Sequence, residues 1–372
     1  MTVVLTYWGQ RGGSYFTGCL AARMAQVLGP ERLIVSGRAT NPDLEMLAPP
    51  GVRTVHMRIP LFSSRDPRAW ATGLKDVAGF PSFLAAEKPS HVVVAMNHLL
   101  AWPLVSRRPA GTKLVYVVHD VSPHPGDYGA VFQRFTQRKL LAQADIVVAL
   151  SEASAAELRR LPAGEGGLRA GQPLVVAPIA GVSPVETATP KRVTPGEPVR
   201  FLLLGRMIHY KGLQLLADSV RQLPADGSWT LTVAGQAKAD QQAAIEALAR
   251  DAPAVRLQSG WLDRSAFVDL IAEHHVLLCP YTEASQSGVI PEAMSRATPS
   301  IVTPVGALPE QVGGSPPAAG LIAADVTAEA FAAAMLSIIR DPGRVEELSR
   351  GAVDRLAMTR AADPWPEILR GA

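Results

Sequence analysis

The chain has 372 residues, which is too long for one ordinary hydrophobic core, so we expect two domains. Its composition, 48% hydrophobic and 19% charged residues, is typical of a folded globular protein and excludes an intrinsically disordered one. No stretch approaches the roughly 18 apolar residues of a membrane span, and the amino terminus enters a strand pattern without a signal sequence. Two cysteines in different halves and scattered histidines argue against a disulfide framework and a metal site, so we expect a cytoplasmic protein without a resident cofactor.

The net charge of +3 hides an asymmetry between the two halves. Residues 1–190 contain 19 basic and 13 acidic residues, a net charge of +6, whereas the remainder contains 17 and 20, a net charge of −3. A basic first half predicts an anionic partner there, such as a membrane surface or a phosphorylated acceptor. Ordinary solubility charge is the alternative that the composition leaves open.

In the first half, near-continuous runs of Val, Leu and Ile alternate with helical patterns, which predicts parallel strands buried on both faces. This alternation indicates a doubly wound, Rossmann-like α/β domain over residues 1–182. The predicted strands are Val3–Tyr7, Arg32–Ser36, Arg53–Met57, His91–Met96, Lys113–His119, Asp145–Ser151 and Leu174–Ala177. The predicted helices are Gly18–Leu28, Pro67–Glu87, Gly129–Ala144 and Glu152–Leu161.

A segment rich in glycine and proline, residues 183–197, is the predicted linker. A second domain of the same kind follows over residues 198–358, and such a pair predicts a cleft between the carboxyl ends of the two sets of strands. Its predicted strands are Arg200–Leu204, Thr230–Ala234, Val255–Ser259, Val276–Cys279, Ser300–Thr303 and Gly320–Ile322. Its predicted helices are Leu213–Leu223, Asp240–Arg250, Arg264–His274, one starting at Glu292, Ala328–Arg340 and Gly343–Met358.

The carboxyl-terminal tail, residues 359–372, contains an isolated tryptophan, Trp365. Such a residue usually anchors a terminal segment against something. We expect the tail to cross back onto the first domain. A tail packed on the second domain is the alternative.

The most informative stretch follows the predicted strand Val276–Cys279 and leads into a helix. A small-residue turn between strand and helix leaves backbone N–H groups free to bind an anion, and Ser287, Gly288 and Val289 supply them here. Pro291 suits the first helical position. Glu292 then lies beside the anion, and accepting hydrogen bonds from a ribose diol would give its carboxylate a role. Together these features predict a nucleoside-diphosphate site.

A second segment, after the predicted strand Arg200–Leu204, favours the same function. Gly205 permits a tight exit from the strand, and the planar donors of Arg206 and the compact cation of Lys211 suit phosphate oxygens. Two solvated basic residues in a loop are the alternative interpretation of this segment.

These residues resemble a known family, the retaining glycosyltransferases of GT-B fold in the fourth sequence family. The resemblance is carried by Gly205-Arg206 with Lys211-Gly212, by Gly260-Trp261-Leu262, by the stretch from Ser287 to Met294, and by residues 297–310. It extends more weakly to Gly12-Gly13, His119-Asp120 and residues 145–151. The family usually has two glutamates separated by seven residues. Glu292 matches the second, but the first position is Ala284, and Glu283 is one residue out of register.

The resemblance implies transfer of a hexosyl group from a UDP- or GDP-linked sugar to a hydroxyl of a glycan or a lipid-linked acceptor. It implies retention of anomeric configuration, a role in bacterial polysaccharide synthesis and no nucleic-acid partner. No Asp-x-Asp motif is present, so no phosphate-bound metal is expected. The implied catalytic residues are His119, Arg206, Lys211 and Glu283, and the implied donor-binding residues are Gly12, Gly13, Gly205, Ser287, Gly288, Val289 and Glu292.

Several alternatives stay open at this stage. His119 either contacts the donor sugar or acceptor, or caps a loop through Asp120, which is itself a weaker candidate base. Gly12 and Gly13 either approach the ligand or form a flexible turn. The basic, aromatic helix Gly129–Ala144 either rests on an anionic bilayer or packs its apolar face on the core. A sugar-nucleotide epimerase, a hydrolase and a non-catalytic nucleotide-sugar-binding subunit are the rival functions.

Overall fold

The computed structural model describes residues 1–9, 12–39, 41, 43–59, 66–98, 100–122, 130–183 and 188–370. They form two compact units, Met1–Val182 with Ala362–Ala372, and Ser183–Ala361. In the described part of the chain, no helix combines the length and apolar character needed to cross a bilayer.

The first unit is built on a parallel sheet whose strand order is β3-β2-β1-β4-β5-β6-β7. Alternate residues of the first strand enter two apolar clusters, Val3 and Leu5 one and Val4 the other, so the sheet is buried on both faces. That double burial explains why the central strands of the sheet are near-continuous apolar runs. The strands are β1 (Val3–Tyr7), β2 (Leu33–Arg38), β3 (Arg53–Met57), β4 (His91–Val94), β5 (Lys113–Val118), β6 (Ile146–Ala149) and β7 (Leu174–Val176).

Six helices of the first unit precede residue 183 in the described ranges. They are α1 (Gly12–Leu28), α2 (Pro67–Glu87), α3 (Ala101–Val105), α4 (Ala130–Gln143), α5 (Glu152–Arg160) and α6 (Ile179–Val182). The predicted start of α1 at Gly18 is wrong by six residues. Two glycines have low helix propensity, but packing overrides it, and Thr17 adds a side-chain hydrogen bond of 2.7 Å to the Gly13 carbonyl. Gly129, the predicted start of α4, lies outside the described residues.

The second unit repeats the same topology in a sheet of order β10-β9-β8-β11-β12-β13, in which all pairs are parallel. Its strands are β8 (Val199–Leu204), β9 (Trp229–Gly235), β10 (Val255–Ser259), β11 (Val276–Cys279), β12 (Ser300–Val302) and β13 (Gly320–Ile322). Its helices are α7 (Leu213–Val220), α8 (Ala239–Asp251), α9 (Arg264–Glu273), α10 (Val289–Ser295), α11 (Leu308–Val312), α12 (Ala328–Arg340) and α13 (Arg344–Ala361).

The described part of the predicted linker packs within the second unit. The Lys191 N–H donates to the Ser349 hydroxyl at 2.7 Å, and the Lys191 ammonium donates to the carbonyls of Ile271 and Ala272 near the end of α9. Residues 184–187 of this segment lie outside the described residues. The Lys191 contacts therefore hold the segment against the carboxyl-terminal end of a helix, where a cation is favourable.

The tail forms the helix α14 (Trp365–Arg370), which belongs to the first unit. Trp365 is buried in the apolar cluster that contains Leu20 and Met24 of α1, and Arg23 of α1 pairs with Asp363 at 2.5 Å. The tail therefore crosses back to the first domain, and the alternative, a tail packed on the second domain, is wrong. Helix α13 ends at Ala361, three residues beyond its predicted end.

Candidate active site

Two loops of the second unit meet at the carboxyl ends of β8 and β11, neighbouring strands between which the chain order reverses. Gly205 follows β8 with φ of +113°, a left-handed conformation that favours glycine. Gly212 has φ of +70°, and a Cβ there would lie 1.7 Å from the Pro280 carbonyl oxygen. The Thr282 N–H donates to the Tyr210 carbonyl at 2.9 Å. The structure therefore joins the two predicted phosphate loops at the place where ligands bind in such sheets.

The two predicted phosphate-binding cations of the first loop differ in burial. Arg206 is exposed, whereas Lys211 is only 8% exposed and donates to the hydroxyl of Tyr281. The Lys211 ammonium also lies 3.9 Å from the centre of the Tyr281 ring. Burial lowers the pKa of Lys211 to about 8. The alternative of two solvated basic residues is therefore wrong for Lys211.

The backbone of Ser287 is held by a side chain that the sequence analysis did not identify. The Ser287 N–H donates to Oε1 of Gln311 at 2.9 Å, and Nε2 of Gln311 donates to the Ser287 carbonyl at 2.9 Å. The expectation that the Ser287 N–H faces outward is therefore wrong, because Gln311 already accepts from it. Gly288 is exposed at the start of α10, and Val289 is the first residue of that helix.

Glu292 is buried and half-paired. Its Oε1 accepts a hydrogen bond from Nη2 of Arg264 at 2.6 Å, whereas its Oε2 is buried without a donor. The helix begins at Val289, not at Glu292 as predicted, so Pro291 occupies its third position rather than its first. Proline is tolerated throughout the first turn because those N–H groups have no helical acceptor. The alternative of a plain, solvated helix-start carboxylate does not fit a side chain that is 2% exposed.

The region of the missing family glutamate lies on the loop between β11 and α10. Glu283 is exposed and Ala284 is half-buried. The Ala284 carbonyl packs directly against Gly306, where a Cβ would lie 1.5 Å from the oxygen and φ is +51°. This close contact fixes the backbone on which Glu283 is mounted.

Gly12 and Gly13 lie in the first turn of α1, not in a loop as predicted. A Cβ at Gly13 would lie 2.5 Å from the hydroxyl of Tyr7, so a glycine here admits the Tyr7 ring. Burial raises the pKa of Tyr7 to about 12, so this hydroxyl stays protonated. A flexible turn is therefore the wrong alternative for these glycines, and a role in donor binding stays a prediction.

His119 follows β5 at the carboxyl edge of the first sheet. Its Nε2 donates to the Ala95 carbonyl at 2.9 Å, and its ring packs edge-on against Phe16 of α1 with centroids 4.6 Å apart. Burial lowers its pKa, with Asp120 opposing that shift. The structure thus places a largely neutral imidazole beside the helix that starts at Gly12.

Sequence reasoning missed the residues that position the predicted ones. Tyr281 holds Lys211, Arg264 holds Glu292 and Gln311 holds Ser287. None of the three lies within a motif, and each reaches its partner through the fold. Among the described residues, no group of three histidine, cysteine, aspartate or glutamate side chains could hold a metal ion; metal independence stays a prediction.

Two units with parallel, doubly wound sheets, the second with its phosphate loops at the carboxyl edge, are typical of the GT-B glycosyltransferase class. Residues 198–341 match the family described as glycosyl transferases group 1, and residues 12–179 match the glycosyl transferase 4-like domain. The chain belongs to the group 1, family 4-type glycosyltransferases and is an enzyme of that class. Membership favours glycosyl transfer over the epimerase, the hydrolase and the non-catalytic subunit.

Solved structures of this fold cover nearly the whole chain. Sucrose-phosphate synthase from Thermosynechococcus elongatus is 19% identical, with a TM-score of 0.70 over 96% of this chain and 94% of that one. Anabaena HepE in complex with UDP is 16% identical, with a TM-score of 0.70 over 100% of both chains. A variant of S. aureus TarM, solved with fondaparinux, α-GlcNAc-glycerol and UDP, is 9% identical, with a TM-score of 0.71 over 100% of both chains. At these identities the likeness shows the fold. A search of curated proteins found no match.

Proposed function

We propose that the protein transfers a hexosyl group from a nucleotide-diphosphate sugar to an acceptor hydroxyl, with retention of configuration and without a metal ion. One observation carries the proposal. In the second unit, the cations Arg206 and Lys211 follow one strand, and the half-paired carboxylate of Glu292 lies in the first turn of the helix that follows the neighbouring strand. This arrangement offers positive charge to a diphosphate and an acceptor oxygen to a ribose.

The chemistry requires the positive charge. As the glycosidic bond breaks, the diphosphate gains negative charge and the sugar becomes oxocarbenium-like. Fixed cations and N–H dipoles directed at the leaving oxygens stabilise that state more than the ground state. Arg206, Lys211 and the N–H groups of Gly288 and Val289 are the proposed donors. In a front-face reaction, a leaving phosphate oxygen accepts the acceptor proton, so no protein nucleophile is needed.

Glu292 is the proposed ribose ligand. Its unpartnered Oε2 would accept from a ribose hydroxyl, while Arg264 fixes the carboxylate through Oε1. HepE and the TarM variant were both solved with UDP, which supports a uridine donor over a guanosine donor.

His119 and Glu283 are proposed to contact the donor sugar, and Gly12 and Gly13 to approach its diphosphate through the first turn of α1. A largely neutral imidazole is an effective hydrogen-bonding group for a sugar hydroxyl without adding charge. An exposed Glu283 on a fixed loop can take the role of the family glutamate that is replaced by Ala284.

The enzyme is proposed to work in the cytoplasm, at the inner face of the membrane, on glycan or lipid-linked acceptors. Helix α4 supports this location because Phe132, 63% exposed, and Phe135 lie beside basic residues of the same helix. Lys139 lies 5.6 Å from the centre of the Phe135 ring. Such a face suits an anionic bilayer surface.

The transfer proposal is tested by incubating the protein with UDP-glucose and GDP-mannose, each with and without EDTA. We expect nucleoside diphosphate release from the preferred donor at an unchanged rate in EDTA. Product from a simple alcohol acceptor would show the donor's anomeric configuration by proton NMR. An inverted product would contradict retention, and loss of activity in EDTA would contradict metal independence.

Membrane contact is tested by sedimentation with phosphatidylglycerol vesicles. We expect the wild type to pellet and the variant with both Phe132→Ser and Phe135→Ser to remain in the supernatant. Leu74 of α2 is 64% exposed and serves as the matched control, so Leu74→Ser should pellet like the wild type. Wild-type protein that stays in the supernatant would contradict the membrane proposal.

A further inference from the structure

The carboxyl edge of the first sheet contains a charged residue that no part of the proposed donor chemistry uses. Arg38 is the last residue of β2, a strand that pairs with β1, and it is only 5% exposed. All strands of this sheet are parallel, so their carboxyl ends meet at one edge, where such sheets bind ligands.

The guanidinium of Arg38 is incompletely bonded. Nε donates to the Ile59 carbonyl at 2.7 Å, but Nη2 is buried and has no acceptor. No carboxylate among the described residues forms an ion pair with it, and burial lowers its pKa. A buried cation without a counter-charge is destabilising. We therefore expect an anionic ligand to supply the missing counter-charge.

Other arginines of the same unit show what is missing. Arg23 pairs with Asp363 at 2.5 Å, Arg58 with Asp76 at 2.7 Å and Arg108 with Asp145 at 3.1 Å. All three are more exposed than Arg38, so water could have solvated them without a carboxylate. Arg38, the most buried of these four arginines, is therefore the one without a carboxylate partner.

A second hydrogen-bond donor, His98, lies at the same edge of this sheet. The Leu100 N–H donates to Nδ1 of His98 at 3.2 Å, which places the imidazole proton on Nε2. Burial, and then the charge of Arg38, lower the pKa of His98 to about 4, so the ring stays neutral. No described residue accepts a hydrogen bond from Nε2. His98 follows β4, and β1 lies between β4 and β2.

The surroundings of these two donors are held by ring packing and side-chain hydrogen bonds. Trp8 packs edge-on against His98, with centroids 6.3 Å apart, and its Nε1 donates to the Ser36 hydroxyl at 3.0 Å. Asn41, three residues beyond Arg38, donates to the Ser14 hydroxyl in the first turn of α1 at 3.1 Å. That turn itself contains no acidic residue, and the positive end of the 17-residue helix lies at this edge of the sheet, with the carboxylate of Asp43 also close enough to act on Tyr7 beside it.

We propose that Arg38 and His98 form an oxyanion-binding site in the first unit, which recognises a phosphate or carboxylate group of the acceptor. The planar fork of arginine matches both groups, and a neutral imidazole N–H adds a directional hydrogen bond. The inference deepens the proposed function, on which it rests, by making the acceptor an anionic molecule. The site also gives the anionic partner that was expected for the basic first half a specific binding residue, Arg38.

The site is tested by calorimetric titration of inorganic phosphate, and separately of malonate, into full-length protein saturated with UDP. UDP fills the nucleotide site, so the titrated anion reports on other sites. We expect wild-type binding, and a loss of roughly 10- to 100-fold in Arg38→Met, as expected for a hydrogen bond to a charged group. His98→Asn retains an acceptor near the Nδ1 position but lacks the Nε2 donor, and we expect a smaller loss. Arg58→Met is the matched control and should bind like the wild type.

The two anions distinguish the acceptor chemistry. Binding of phosphate but not malonate would identify a phosphorylated acceptor, and the reverse a carboxylate. No binding of either anion by the wild type, or equal binding by wild type and Arg38→Met, would overturn the inference. The binding of UDP, measured before the anion is added, tests the proposed donor independently of this site. A wild type that binds no UDP would contradict the proposed donor, while phosphate binding that depends on Arg38 would still support this site.

Thermal unfolding provides a measurement that a purely structural role of Arg38 would not reproduce. In phosphate-free buffer, Arg38→Met should unfold at the wild-type temperature or above it, because an uncompensated buried charge is removed. Added phosphate should raise the unfolding temperature of the wild type and leave that of Arg38→Met unchanged. If Arg38→Met is strongly destabilised both with and without phosphate, Arg38 has a structural role through its hydrogen bond to Ile59, and the inference is overturned. If Arg38→Met does not fold, the phosphate titration of His98→Asn decides.

Discussion

The carboxyl edges of the two sheets share one topology but differ in how their charged groups are satisfied. In the second unit, Lys211 is hydrogen-bonded to Tyr281, and Glu292 has a charged partner, Arg264, on one of its two oxygens. In the first unit, Arg38 has no charged partner among the described residues. The second edge is therefore organised before a ligand arrives, as electrostatic catalysis requires. The first edge keeps an unsatisfied cation and depends on its ligand to complete it.

This difference predicts opposite responses to substitution. Removing a charged group from the second edge takes away ligand binding and also leaves an internal partner unsatisfied. Removing Arg38 from the first edge takes away binding and leaves one neutral internal partner, the Ile59 carbonyl, without its donor, but no unpaired charge. The first unit must then obtain its stability from apolar packing.

The largest expected effect tests whether apolar packing stabilises the first unit. Trp365→Ala should lower the free energy of unfolding by about 3–5 kcal/mol, because it empties a buried site against α1. Urea denaturation gives the value, and Trp261→Ala, at an exposed tryptophan, should change it by less than about 0.5 kcal/mol. Equal values for the two variants would show that the tail does not stabilise the first unit.

Lys211→Met should lower kcat by roughly 100- to 1,000-fold, the usual loss when one preorganised donor to a developing negative charge is removed. The rate is measured as UDP release with saturating donor. Arg221→Met is the control, because Arg221 is exposed, follows the carboxyl-terminal end of α7 and pairs with Asp218. Near-normal turnover of Lys211→Met would remove the lysine from the catalytic role.

Glu292→Gln should weaken UDP binding by roughly 10- to 100-fold, because it removes a charged hydrogen-bond acceptor. A calorimetric comparison of UDP with 2′-deoxy-UDP makes the test specific to the ribose. The wild type should prefer UDP, and the variant should bind both nucleotides alike. A variant that retains the preference but unfolds more easily would assign Glu292 to the Arg264 ion pair alone.

The smallest expected effect is a pH dependence. The pKa of Lys211 is lowered by burial to about 8, so the side chain is protonated below pH 8 and loses its charge above it. UDP binds the charged form. The affinity of the protein for UDP should therefore be nearly constant from pH 7 to 7.5 and fall by up to about tenfold per pH unit above 8. Calorimetry with Lys211→Arg, which stays charged, should show no such fall; a parallel fall in the variant would assign the titration elsewhere.

Much of the fold was predictable because the strands carry their own signal. Val3–Tyr7 and Val276–Cys279 have the predicted bounds, since strands buried on both faces are apolar along their whole length. Arg53–Met57 and Val255–Ser259 also have the predicted bounds, although both are edge strands with exposed polar residues. The starts of α1 and α10 were wrong. Gly12 and Gly13 are poor helix formers, and their helical conformation depends on Tyr7 and Thr17.

The candidate site was predictable to the extent that its residues follow strands directly. Gly205, Lys211 and Glu292 were identified because a strand, a turn and a helix start are local patterns. Whether the Ser287 N–H is free was not predictable, because Gln311 lies 24 residues further along the chain. Arg38 carried no signal at all, since a strand that ends in arginine is ordinary in sequence.

The sequence by itself determined the alternation of strands and helices, the family and the positions of the phosphate loops. These depend on the order of neighbouring residues, and hydrophobic period and turn chemistry express that order directly. Tertiary structure alone decided which charges have partners. Whether a charged side chain has a partner depends on distances between residues far apart in the chain. Burial decides how much free energy an unpaired charge costs.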